Sequence, residues 1–158
     1  MNIRKSTTAD LPRIEEIYTM ARAFMREHDN PTQWAGAYPS VDIVKQDIQA
    51  GKSYVCEDEG EIVATFYFAI EQDPTYGIIE DGNWLSDEPY GVIHRIASVK
   101  KGAGSFCINY GFERCGNLRI DTHKDNYVMQ NMLTKNGFHR CGIIFLENGD
   151  PRTAFQKI

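Results

Sequence analysis

At 158 residues, with 42% hydrophobic and 25% charged side chains, the chain is long enough to bury one substantial core and too short for two domains, so a single domain over 1–158 is expected. A formal net charge of -5 and a pI near 5.3 argue against nucleic acid or an anionic membrane surface as partner, because phosphate binding needs Lys and Arg. The four cysteines, Cys56, Cys107, Cys115 and Cys141, form no C-x-x-C pair and read as free thiols, and no apolar run reaches the roughly 18 residues of a membrane span, so a cytoplasmic protein is expected.

Taken in order, Asn2 to Lys5 suits a short strand, and Thr8 or Asp10 then caps a helix with Pro12 in its first turn. Leu11, Ile14, Ile17, Tyr18, Ala21 and Met25 recur at helical spacing, which predicts one amphipathic helix with a buried stripe. The pattern dissolves over residues 27–39 into an irregular stretch carrying Trp34 and Tyr38, after which Ser40 caps a second helix that Gly51 ends. Ser53 to Glu57 and Glu61 to Ile70 flank Asp58-Glu59-Gly60 as a hairpin, its second strand apolar enough to be covered on both faces.

Residues 71–89, EQDPTYGIIEDGNWLSDEP, lack a period and are acidic and aromatic together, a composition that long functional loops share. An apolar run from Val92 to Val99 then leads through Lys100-Lys101-Gly102-Ala103-Gly104 into a helix expected from Ser105 to Gly116. Strand, glycine turn and helix start in that order make an anion site: N-H groups of the turn form a nest, and the helix adds unpaired donors and about half a positive charge. Lys100 and Lys101 would strengthen it. Leu118 to Thr122 reads as a strand, Asn126 to Asn136 as a helix stopped by Gly137, Phe138 to Phe145 as a strand, and a last strand lies near Arg152 to Lys157 beyond the Asn148-Gly149 turn. Strands alternating with helices after an antiparallel hairpin imply a mixed α/β sheet.

These features together resemble the GNAT superfamily of acyl-CoA-dependent N-acyltransferases over essentially the whole chain. The cofactor motif of that family, Gln/Arg-x-x-Gly-x-Gly/Ala, falls on Val99-Lys100-Lys101-Gly102-Ala103-Gly104, and its second signature falls on Asn126 and on Gly137-Phe138. The resemblance implies a central twisted mixed sheet of about seven strands flanked by four helices, in the order β-α-α-β-β-β-α-β-α-β-β. Val99 stands where the family usually has Gln or Arg, the glycine turn is shorter than usual, and Leu133 occupies the place of a Tyr that protonates the leaving thiolate in many members.

The implied activity is transfer of the acetyl group of acetyl-CoA, as co-substrate, to a primary amine by direct attack in a ternary complex. An alkyl amine of pKa about 10 is only about one part in a thousand neutral at pH 7, so a base must take its proton. His94 is the first candidate, since an imidazole titrates near working pH and some amine-acetylating members of the family use a His at this place; a satisfied core histidine is the bland alternative. Strict alternation would put His94, Ile96 and Ser98 on one face of the strand and Ile93, Arg95 and Ala97 on the other. Ser98 and Tyr127 are reserve candidates for the missing acid.

By the same resemblance, Ile96, Ala97 and Ser98 should bind the pantetheine arm, Lys101, Gly102, Ala103, Gly104 and Ser105 the diphosphate, and Asn126, Met129 and Asn131 the cofactor's approach. For Asn126 a helix cap is the equal alternative. The acceptor pocket is expected from the two irregular loops, with Trp34, Tyr38, Tyr76, Trp84 and Tyr90 beside Glu71, Asp73, Glu80 and Asp81, a mixture that favours a cation. A small-molecule amine is the expected partner, with nucleic acid and membrane set aside and a homodimer left open. No metal is expected, because His28, His94, His123 and His139 have no paired spacing and no cysteine partner. The rival function is a non-catalytic acyl-CoA binding or sensor module on the same fold.

Overall fold

A computed structural model describes the whole chain, residues 1–158. Its elements are β1 (Asn2–Lys5), α1 (Leu11–Glu27), α2 (Val41–Gln49), β2 (Ser53–Asp58), β3 (Glu61–Ile70), β4 (Gly91–Ser98), α3 (Ala103–Cys115), β5 (Leu118–Thr122), α4 (Tyr127–Lys135), β6 (His139–Phe145) and β7 (Pro151–Lys157). The order is the expected one. Caps account for several boundaries: Ser40 Oγ accepts from Ile43 N at 3.3 Å to start α2, and Gly116 ends α3 in the left-handed region. Asp10 carries out two jobs where α1 begins, accepting from Thr7 N at 2.7 Å and from Arg4 Nη1 at 2.8 Å.

The strands form one seven-stranded sheet in the order β1-β2-β3-β4-β5-β7-β6. All neighbours are antiparallel except β4 and β5, which run parallel and pair only at Gly91↔Leu118 and Val92↔Arg119. Beyond Val92 the two strands part, so the sheet opens in a V at its centre. The side of β4 that faces the V has main-chain groups without a partner strand.

Helices cover both faces. On one, α3 and α4 pack Cys107, Ile108 and Leu133 over Ala64, Phe66, Phe68 and Ile93; on the other, α1 and α2 cover Val55 and Ala97 with Ile14, Ile17, Tyr18 and Val44. β3 is thus buried on both sides, as its unbroken apolar run requires. A smaller cluster, Tyr76, Val92, Ile144 and Ala154, lies under residues 71–90.

The strict alternation expected along β4 fails. Thr65 pairs with Ala97 and Tyr67 with His94, so two steps on β3 match three on β4, and the extra residue is absorbed at Arg95, whose φ is 51°. His94 and Arg95 therefore both project toward α2, while Ile96 joins the core beneath α3. His94 does not share a face with Ile96 and Ser98. Tyr18 Oη donates to Arg95 O at 2.7 Å and holds the bulge from α1.

Candidate active site

The V between β4 and β5 opens into a cavity of about 860 Å³. Its wall includes Ile93, His94, Arg95 and Ile96 from β4, Ile120, Asp121 and Thr122 from β5, and Asn126 and Met129 from α4. The cavity joins the two faces of the sheet: His94, Arg95 and Asp121 reach it from the α2 side, Ile96 and Met129 from the α3 and α4 side.

His94 sits at this junction. Its Nε2 lies 2.8 Å from Asp73 Oδ2, and its ring packs near Tyr67 and Tyr76. Asp73 is itself fixed, because Oδ1 accepts from Thr75 N at 2.8 Å and Thr75 Oγ1 at 2.7 Å, and its own N-H donates to Tyr90 Oη at 3.0 Å. Burial alone would raise the Asp73 carboxyl, but the hydrogen bonds from His94 and Thr75 outweigh it and hold it at about 2. An ionised Asp73 orients the ring and leaves Nδ1 as the nitrogen free to accept a proton when the imidazole is neutral.

Five more carboxylates line the same cavity, Asp47, Glu71, Asp121, Glu147 and Asp150, and the first three have committed partners. Asp47 receives both Arg95 Nε and Nη2 at 2.9 Å. Glu71 binds Lys52 Nζ and Tyr67 Oη, each at 2.6 Å. Asp121 accepts from Tyr76 Oη at 2.7 Å, and its burial raises the carboxyl above the ordinary range against the pull of His94.

At the other end of β4, Gly102 adopts φ 87°, which only glycine takes without strain, and turns the chain into α3. The helix starts at Ala103, two residues before the expected Ser105. Ala103 N bonds Lys100 O and Phe106 N bonds Gly102 O, while the N-H groups of Lys101, Gly102, Gly104 and Ser105 find no acceptor in the chain. This is the expected nest at a helix N-terminus. Gly104 is buried where α3 meets α4, and a Cβ there would come within 3.0 Å of Met132 Sδ and 3.5 Å of Ser98 Oγ. Lys100 does not reach the nest: its ammonium pairs with Asp58 on β2.

The remaining expected residues divide. Trp34 lines the cavity with Tyr38, and Met129 and Asn126 line it from α4. Asn126 also caps α4, accepting from Met129 N at 3.0 Å while Nδ2 donates to Gln33 Oε1 at 2.9 Å. Asn131 is exposed and lies away from the cavity, and Ala97 is buried against α1 and α2. Ser98 faces the start of α3, on the side of the sheet opposite His94.

Tyr76, Trp84 and Tyr90 do not line the cavity; they build the wall behind it. Trp84 Nε1 donates to Tyr76 O at 2.9 Å, and the Arg119 guanidinium is stacked between Trp84 and Tyr90 at 4.1 and 4.0 Å. Gln156, fully buried on β7, accepts from Leu85 N at 2.7 Å and donates to Ser86 O at 3.1 Å and Asn117 Oδ1 at 2.7 Å. Glu80 pairs with Ile143 at the edge of β6 and Asp81 with Arg140, so neither acid reaches the cavity. The loop over residues 71–90 is clamped to the sheet along its length, and only Glu71, Asp73, Pro74 and Thr75 of it border the cavity.

Compared with known proteins, no family model and no curated protein sequence matches the chain. Solved structures do match. An acetyltransferase of the GNAT family from Streptococcus agalactiae is 27% identical, with 99% of this chain covering 94% of that one at a TM-score of 0.92. The chain has the fold of the GNAT superfamily. A GNAT-family acetyltransferase from Listeria monocytogenes, 19% identical, superposes with a TM-score of 0.71 over 99% of this chain and 93% of that one. A GNAT superfamily phosphinothricin acetyltransferase from Sinorhizobium meliloti, solved in complex with acetyl-CoA, is 16% identical, with a TM-score of 0.67 over 99% and 86%. The mixed seven-stranded sheet with four helices is the GNAT architecture.

Sequence reasoning missed the Arg95 bulge and the His94–Asp73 pair. A histidine midway along an apolar strand gives no sign of a bulge, and Asp73 lies 21 positions earlier in a loop without a period. Asp121 was also invisible, being one acid in an otherwise ordinary strand pattern.

Proposed function

We propose that this GNAT protein is an N-acetyltransferase that moves the acetyl group of acetyl-CoA onto a primary amine of a small molecule. The observation that carries it is the V itself: unpaired N-H groups at the start of α3 lie at one end of β4, and an oriented histidine lies on its other face beside the same opening. Cofactor residues and base thereby approach one cleft from opposite sides of the sheet. Acetyl-CoA is found in the Sinorhizobium relative of the same fold, which supports the assignment of co-substrate.

The nest at residues 101–105 would hold the diphosphate, with Ile96, Met129 and Asn126 along the pantetheine path. On the acceptor side the acidic wall draws in an ammonium, and His94 Nδ1 takes its proton. The free amine attacks the thioester carbonyl. Its oxygen, now negative, meets main-chain N-H groups of β4 left unpaired by the V. Collapse expels the CoA thiolate, and the nitrogen gives up its extra proton to water, leaving the neutral amide. Leu133, fully buried in the core, offers no proton, so the thiolate takes one from water.

Thiol release from acetyl-CoA, followed across an amine panel and paired with calorimetric binding of CoA, tests this. Turnover that disappears in His94→Ala supports it. The rival, a sensor module without chemistry, rests on Leu133 and predicts CoA binding with no thiol release on any amine.

A further inference from the structure

Arg152 is the cavity cation whose charge the chain does not use. It lies on β7, is 7% exposed, and lines the cavity with His94 and Asp121. Its one hydrogen bond runs from Nη1 to the neighbouring Pro151 O at 2.9 Å, and it enters no ion pair. The other buried guanidiniums are provided for, Arg95 by Asp47 and Arg119 by Trp84, Tyr90 and Ser86 O.

Two acids near Arg152 are committed elsewhere, and Glu147, which also lines the cavity, is exposed and enters no ion pair. Asp121 holds Tyr76 Oη, and Asp150 holds the turn through Asn148 Nδ2 at 3.2 Å. A guanidinium taken most of the way out of water and left without a counter-ion is costly unless a ligand supplies one. Its planar fork matches a carboxylate.

Its position relative to His94 makes this useful. Asp121 pairs with Ala154 across the β5–β7 ladder, which puts Arg152 diagonally beside it on the same face of the sheet. Asp121 is within electrostatic reach of both His94 and Arg152, and all three line the one cavity. A molecule in the cavity can therefore meet both His94 and Arg152.

We propose that the acceptor is an amino acid, its amine delivered to His94 and its carboxylate anchored by Arg152. The acidic wall and the unpaired cation select together for a zwitterion: the wall favours the ammonium, and Arg152 can take the anion. The assignment rests on the acetyltransferase proposed above, whose own test is thiol release with any amine.

The experiment compares matched pairs, α- to δ-amino acids against the same amines without the carboxylate, by kcat/KM for the wild-type protein. Preference for at least one amino acid over its decarboxylated partner by about 10- to 100-fold is expected from a charge-assisted contact. In Arg152→Met that ratio should fall toward one, and Arg152→Lys should restore part of it. Calorimetric binding of N-acetyl amino acids against N-acetyl amines gives a readout free of turnover: wild type should favour the carboxylate and Arg152→Met should not. Equal use of both members of every pair by the wild type, or a preference that survives Arg152→Met, overturns the proposal.

Discussion

His94 and Asp73 meet at 2.8 Å although they come from a sheet strand and from a loop, and the contact orients the imidazole toward the opening between β4 and β5. Asp73 is held by Thr75 and by Tyr90 Oη, so the pair is built before any substrate arrives. Preorganisation of this kind supports the acid-base role proposed for His94.

Replacing His94 with Gln should lower kcat by about 10²- to 10⁴-fold, the usual range for loss of a general base, with the KM for acetyl-CoA nearly unchanged. Asp73→Asn should cost less, on the order of 10-fold, and should shift the acid limb of the pH–rate profile. Adding Asp73→Asn to His94→Gln should bring little further loss. Steady-state kinetics on the three variants measures this.

The same pair predicts a pH dependence of stability. The folded Asp73 carboxyl titrates at about 2, and an unfolded Asp near 3.9. Its stabilisation is therefore complete above about pH 4 and is lost as pH falls toward 2. Acid denaturation followed by circular dichroism should show a shallower loss between those values in Asp73→Asn than in wild type.

Gly102 is required by its φ of 87°. Gly102→Ala should cost about 1–2 kcal/mol of stability and displace the unpaired N-H groups beside it. CoA affinity by calorimetry should fall by about 10-fold or more, while the melting temperature drops only a few degrees.

Ser98→Ala is expected to leave kcat within about 3-fold, since that side chain faces α3 rather than His94. A large loss of kcat with an altered basic limb would instead assign Ser98 a proton-transfer role.

Gln156 ties residues 85 and 86 and Asn117 to β7 through one buried amide. Gln156→Leu leaves those groups unpaired and should cost about 2–4 kcal/mol in chemical denaturation. Because the same loop carries Asp73, kcat should fall too.

The elements, their order and the nest were legible in the sequence because they depend on local rules: apolar periodicity along α1, the apolar run of β3, the glycine that only φ 87° explains, and the Asn cap of α4. Trp34, His94, Met129 and Asn126 could be placed near a site from their positions relative to those elements. The division of roles among the aromatics could not. Tyr76, Trp84 and Tyr90 have the composition of a pocket, yet they pack on Arg119 and on one another behind it, since burial of a large ring is decided by what lies across from it. Tertiary structure alone decided the face of His94, because one additional residue at Arg95 reverses every side chain beyond it and no pattern of period two reveals where that residue is absorbed. It also decided that Arg152 has no counter-ion, a fact about the space around a side chain rather than about its neighbours in the chain.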